Sequence, residues 1–363
     1  MTIMRDEIHE IPSVVARVLR DGASEVERVA GAVRASRPRF VVIAARGTSD
    51  HAAIYARYLI ETHLGIPAGL AAPSVVTTYR ADLEWHDMLV LAVSQSGQSP
   101  DIVAVVEAAR RGGAMTVAVT NDPASPLASA AEHDLDCRAG TERAVAATKT
   151  YVGELAVIAA LVARLAPRTG LADALPRLPD ALDAAVRSGE AWLTSQPSLV
   201  AEFAGGERAF VVSRGFNLAT ALEIALKLKE TALIFADGYS SADLLHGPVA
   251  LARADVPMLV IRPRGEVGRA IDEGLARARD AGARPWAIRF AGEDAGDAGA
   301  AAEGSPEAAG SAPERSLVLG SLPEALTPLV AVVPGQLLAE SVARARGYDP
   351  DHPVGLTKVT RTR

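Results

Sequence analysis

FVVIAARG at 40–47 is echoed by FVVSRG at 210–215, and that echo decides the fold. Each is a β-branched apolar run that ends in Arg-Gly and leads into a helical pattern. The echo continues almost in register. The two glycines are 215 − 47 = 168 residues apart, MLVLAV at 88–93 matches MLVIR at 258–262 (258 − 88 = 170), and ARRGGAMTVAV from Ala109 matches ARDAGARPWAI from Ala278 (278 − 109 = 169). A repeat of this length implies two similar lobes. Short Val/Ile/Leu runs alternating with helical patterns and turning at Gly or Pro predict βαβ units on a parallel sheet, with helices on both faces. The fold class expected is therefore α/β, in two tandem domains.

The expected boundaries are an N-terminal helical segment at 1–25, a first lobe at 26–168, a helical linker at 169–195, a second lobe at 196–345 and a tail at 346–363. The Gly/Ala/Glu/Pro-rich stretch 291–316 reads as a flexible surface insertion without a function.

The 363 residues are 49% hydrophobic, 22% charged and 4% aromatic, the composition of an Ala-rich soluble protein. A formal net charge of −7 argues against a nucleic-acid partner, because polyanion binders carry a basic face. The one cysteine, Cys137, cannot form an internal disulfide, and the 7 histidines show no zinc spacing, so no metal or cofactor is expected. The start MTIMRDEIHEIP lacks the basic and apolar runs of a signal peptide. No stretch is read as reaching the roughly 18 apolar residues of a membrane helix; the run Leu155–Ala163 is bounded by Glu154 and Arg164. The expectation is a cytoplasmic protein with no membrane contact.

LAVSQSGQSPDIVAVVEAARRGG at 91–113 reads as strand, Ser/Gly turn and helix. Unsatisfied N–H groups at a helix start carry partial positive charge, so Ser94, Gln95, Ser96 and Ser99 suit a small phosphate. Serines at such a turn also cap helices, and the pattern alone leaves both readings open. A second turn offers Gly47, Thr48 and Ser49 after the neighbouring strand, which favours a binding crevice at a switch in strand order. Neither turn fits a dinucleotide or triphosphate motif.

In ALEIALKLKE, Glu223, Lys227 and Glu230 stand at i, i+4 and i+7, on one helical face. A solvated stripe of ion pairs is one reading. An acid–base cluster is the other, favoured by the apolar remainder of the helix and by His246, which follows in a tight loop before Gly-Pro. Lys358 lies in a terminal segment where a lysine is ordinarily exposed and idle.

Together SQSGQSPD, GTERAVAATK, ALEIALKLKE, LLHGPVAL and DPDHPVGLTKVT resemble the sugar isomerase (SIS) family, in particular the isomerase half of glucosamine-6-phosphate synthases. ARGTSDHAAIYARYLIE and APSVVTTY are similar to stand-alone glucosamine-6-phosphate deaminases of that type. The resemblance implies two tandem SIS domains and a sugar phosphate held by Ser49, Ser94, Gln95, Ser96 and Ser99, with sugar contacts at Gly47, Thr48 and the Val145 backbone. It implies that His246 opens the ring, that Glu230 shuttles a proton beside Glu223 and Lys227, and that Lys358 reacts with or polarises the carbonyl. It also implies a homodimer in which His246 crosses to the neighbouring subunit. Gln98 and Ser99 depart from the family's SQSGET, and Ala147 and Leu245 stand where the synthases carry serine and lysine. The chain starts without a glutaminase domain, so the expected reaction is deamination of an aminohexose 6-phosphate. A fructosamine-6-phosphate deglycase and a non-catalytic sugar-phosphate regulator are the alternatives.

Overall fold

The computed structural model describes residues 1–292 and 315–358. Most of the low-complexity stretch 291–316 therefore lies outside the described residues. The chain divides into two compact units. A first lobe comprises His9–Asp180 with the tail from Gly355, and a second lobe comprises Ala181–Val354 with Met1–Ile8. The division falls within the continuous helix Leu178–Ser195, inside the segment read as a linker. The two chain ends belong to opposite lobes, which no local pattern announces.

The first lobe carries strands β1 (Phe40–Ala44), β2 (Ala68–Leu70), β3 (Met88–Val93), β4 (Met115–Thr120) and β5 (His133–Asp136), all parallel, in the order β2-β1-β3-β4-β5. The second carries β6 (Arg208–Ser213), β7 (Phe235–Ser240), β8 (Met258–Arg262), β9 (Trp286–Phe290) and β10 (Ser316–Leu319), also parallel. Its order, β10-β9-β8-β6-β7, is the first sheet's order read from the other edge. The register repeats as well: Val42 faces Val90 in one sheet and Val212 faces Val260 in the other. The repeat in the sequence is thus a repeat of topology.

The central strands are continuous apolar runs because both of their faces are covered. Leu91, Ala92 and Val93 are buried, as is every residue of β4. Side chains of the helix Pro100–Arg111, among them Ile102, Val105 and Val106, pack with Val90 and Ala92 on one face of the first sheet. In the second lobe Ile271, Leu275 and Ala278 of the helix Gly265–Asp280 pack with Val212, Met258 and Val260 in the same way.

One expectation is corrected by the helix Thr327–Ala345. The stretch Glu324–Ala345 is long and apolar enough to cross a membrane by length and composition, although it contains Gln336 and Glu340. It is almost wholly buried inside the second lobe, which marks it as a core helix. Glu340, with no exposed side-chain surface, pairs with Arg5 at 2.6 Å and accepts the Thr2 hydroxyl at 2.8 Å. The carboxylate of Asp351 takes the N–H groups of Ile3 and Met4 at 2.8 and 2.7 Å, capping the first helix. Polar residues from both ends of the second lobe's sequence thereby fasten Met1–Ile8 to it.

Candidate active site

Between β1 and β3 the strand order reverses, the position where open parallel sheets bind ligands at the C-terminal ends of their strands. β1 runs through Arg46 and Gly47 into the helix Thr48–Leu59, and β3 runs through Ser94–Ser99 into the helix Pro100–Arg111. The serine loop is tightly folded. Gly97 N–H donates to the Ser94 carbonyl at 3.1 Å, Leu127 N–H donates to the Gly97 carbonyl at 3.1 Å, and Ser96 Oγ accepts from Gln98 N–H at 3.2 Å. Gly97 has φ of 60°, and a Cβ there would lie 2.2 Å from Ser125 Oγ, so both conformation and space require glycine.

Ser99 occupies the N-cap position of Pro100–Arg111 but makes no side-chain capping bond. The capping alternative therefore does not use its hydroxyl. Gln95, Ser96 and Ser99 are half-buried, and Ser94 is buried with its backbone N–H on Val119. Ser49 makes an internal contact that its place in the turn does not announce. Its hydroxyl is buried and donates to Glu154 Oε1 at 2.7 Å, so its proton serves an internal carboxylate rather than a phosphate in this conformation. Gly47 is exposed and Thr48 half-buried at the start of the same helix.

Arg46 was not singled out by sequence reasoning, although Arg-Gly recurs at 214–215. Its Nε donates to Asp101 Oδ2 at 2.9 Å and ties the β1 turn to the first turn of Pro100–Arg111. Asp101 is buried and would repel a phosphate at that helix start; the paired guanidinium, about half exposed, offsets that charge.

A second missed residue is Glu142. Its carboxylate has no exposed surface. Oε1 accepts the N–H groups of Thr148 (2.9 Å) and Thr150 (3.1 Å), and Oε2 accepts the Thr150 hydroxyl (2.6 Å) and Lys358 Nζ (2.9 Å). Burial alone would push this carboxyl up, but the Lys358 ammonium and the threonine donors outweigh it and hold it below the usual range. Lys358 also donates to the Ala144 carbonyl at 2.7 Å, next to Val145. The terminal lysine is therefore fixed on the 140–148 segment of its own lobe.

In the second lobe the helix Leu218–Ala232 presents the charged triad. Lys227 Nζ lies 3.3 Å from Glu223 Oε1 and 2.6 Å from Glu230 Oε2. Glu223 and Lys227 have no exposed side-chain surface, whereas Glu230 is 22% exposed. A solvated stripe is thereby excluded. Burial favours a neutral Lys227 amine, but Glu223 and Glu230 outweigh it and raise its proton affinity. Glu223 and Lys227 were read as catalytic from sequence; both are enclosed, and Glu230 is the member of the triad that reaches solvent. His246 follows the short helix Ser241–Leu244 in a turn, with its N–H on the Asp243 carbonyl at 3.0 Å and its side chain exposed. Gly247 after it has φ of 135°, a conformation glycine alone adopts readily.

The SIS domain family matches residues 36–164 and 202–299. Glutamine–fructose-6-phosphate aminotransferase (isomerizing) of Methanothermobacter thermautotrophicus is 36% identical over 362 residues, 98% of this chain and 56% of that protein. The chain thus spans about half the length of the curated relatives it matches. A candidate phosphosugar isomerase of Silicibacter pomeroyi superposes with a TM-score of 0.83 at 38% identity, covering 97% of this chain and all of that one. A glucosamine-6-phosphate deaminase of Thermotoga maritima shares the fold with a TM-score of 0.69 at 19% identity over 96% of this chain.

Proposed function

The chain belongs to the SIS domain family, and from that premise we propose that it is an isomerising glucosamine-6-phosphate deaminase, converting D-glucosamine 6-phosphate and water to D-fructose 6-phosphate and ammonia. The observation that carries the reading is the triad of Leu218–Ala232, in which a buried lysine holds one carboxylate, Glu230, at the protein surface. A carboxylate so held can take a proton from one carbon and return it to the next. His246 moves the proton between the carbon 1 hydroxyl and the ring oxygen and opens the pyranose. Glu230 then takes the carbon 2 proton while the carbon 1 oxygen gains one, which gives an enolamine, and returns its proton to carbon 1 as the amino nitrogen gives one up, leaving an imine at carbon 2. Water adds to that imine, ammonia leaves, and the ketone remains. The serine loop binds the phosphate through neutral donors and backbone N–H groups, which positions the carbons without sharing in the proton transfers.

Ammonia and fructose 6-phosphate are expected in equal amounts from glucosamine 6-phosphate, assayed against galactosamine 6-phosphate and fructoselysine 6-phosphate. Turnover of the fructosamine alone would replace the deaminase reading with a deglycase. Sugar-phosphate binding without any turnover would make the protein a regulator.

The same reading makes a homodimer the active unit, with His246 serving the neighbouring subunit's site; its exposure is consistent with that role. Mixing and refolding inactive Glu230→Gln and His246→Asn variants is then expected to recover about a quarter of wild-type activity, since hybrid dimers carry one intact site. No recovery in a mixture shown to contain hybrids would place both residues in one subunit's site.

A further inference from the structure

The chain contains four lysines, Lys149, Lys227, Lys229 and Lys358, and draws the rest of its positive charge from arginine. Each has a carboxylate partner. Lys149 meets Glu10 at 2.7 Å, Lys227 meets Glu223 and Glu230, Lys229 meets Asp237 at 3.3 Å, and Lys358 meets Glu142 at 2.9 Å. Lys149 and Lys227 are buried, so Lys229 and Lys358 are the accessible side-chain amines, 42% and 26% exposed.

The partner of Lys358 is unusual because it is already saturated. Both oxygens of Glu142 accept two donors, and three of the four come from Thr148 and Thr150. A buried carboxylate with four donors is ionised and cannot turn away without leaving those donors unpaired. Lys358 is held across 216 residues of sequence by that fixed charge and by the Ala144 carbonyl.

We propose that Glu142 is a positioning residue for Lys358: it holds the lysine as an ammonium against the 140–148 segment, so that Lys358 meets substrate as a charged hydrogen-bond donor rather than as an amine nucleophile. Two of the three ammonium protons go to Glu142 and Ala144, which leaves the third for a substrate oxygen beside Val145. Carbinolamine formation would require the ammonium to lose a proton first, stripping a buried carboxylate of its counter-charge. The catalytic part of this proposal rests on the deaminase reading; the state of Lys358 does not.

Two experiments read that state without turnover. Acylation of the wild-type protein at pH 8, followed by peptide mass spectrometry, is expected to modify Lys358 at least about tenfold more slowly than Lys229, because Glu142 and the Ala144 carbonyl hold the Lys358 nitrogen at 2.9 and 2.7 Å whereas Lys229 has the single 3.3 Å contact to Asp237. The difference closes in Glu142→Gln. Borohydride added with fructose 6-phosphate leaves no reduced adduct on Lys358. Labelling of Lys358 as fast as Lys229 in the wild type, or a borohydride-trapped adduct on it, overturns the proposal even if Glu142→Gln fails to fold. Where the wild type releases ammonia, Glu142→Gln is expected to lower kcat about tenfold with a smaller change in KM, as loss of a contact made in the transition state does. An unchanged kcat in a folded Glu142→Gln enzyme overturns the positioning role. A wild type that releases no ammonia refutes the deaminase reading and leaves the labelling and trapping results standing.

Discussion

Glu230→Gln is expected to lower kcat for ammonia release by about 10³-fold, the middle of the range for loss of a positioned general base, with KM for glucosamine 6-phosphate nearly unchanged. The amide keeps the volume of the carboxylate and can still accept a hydrogen bond from Lys227, so the fold and the phosphate loop are left intact. What is lost is the ability to take a proton from carbon 2. Because enolamine formation follows ring opening, the variant should still exchange the sugar's anomers while failing to wash deuterium from solvent into carbon 1. Steady-state kinetics and the label at carbon 1 check both halves. A variant within threefold of wild type would remove Glu230 from the chemistry and with it the observation on which the proposed function stands.

How much of this site could be read beforehand depended on the distance over which each interaction acts. β1, β3 and β4 were legible because burial on both faces demands an uninterrupted apolar run. Their counterparts β6, β8 and β9 were legible because the second lobe repeats the demand about 169 residues later. The triad was legible because 3.6 residues per turn places positions 223, 227 and 230 on one face. The contact made by the Ser49 hydroxyl was not legible, for the opposite reason. Its partner, Glu154, is 105 residues away, and nothing local distinguishes a hydroxyl facing a crevice from one facing a buried carboxylate. Glu142 stood inside a quoted motif and was overlooked, since its meaning comes from Lys358 and from a turn that folds Thr148 and Thr150 back onto it. Arg46 was visible only as half of an Arg-Gly repeat. The helix Thr327–Ala345 escaped a count of uninterrupted apolar residues because Gln336 and Glu340 interrupt it; burial of Glu340 against Arg5 and Thr2 explains why the core tolerates it.

Lys227→Met is expected to cost about 3–5 kcal/mol of unfolding free energy, the usual penalty for removing one partner of a buried ion pair. Met conserves most of the volume, so cavity formation contributes little, and the loss falls on Glu223, which has no exposed surface and keeps a charge without Lys227 to compensate it. The sign of the pH dependence follows from the raised proton affinity of Lys227. Its stabilising contribution is fully present below the unfolded-state lysine pKa, about 10.4, and is lost only as pH rises through the higher folded value. The deficit should therefore be flat across the neutral range. Adding Glu223→Gln to Lys227→Met removes a buried charge that has lost its lysine and should restore at least about 1 kcal/mol, a coupling of the size found between contacting residues. Denaturant titrations at pH 5, 7 and 9 on the two variants and the wild type test these signs together. A single variant as stable as wild type, or a double variant weaker than the single one, would mean that the pair is not what holds Glu230 in place, and some other contact along Leu218–Ala232 would have to do so.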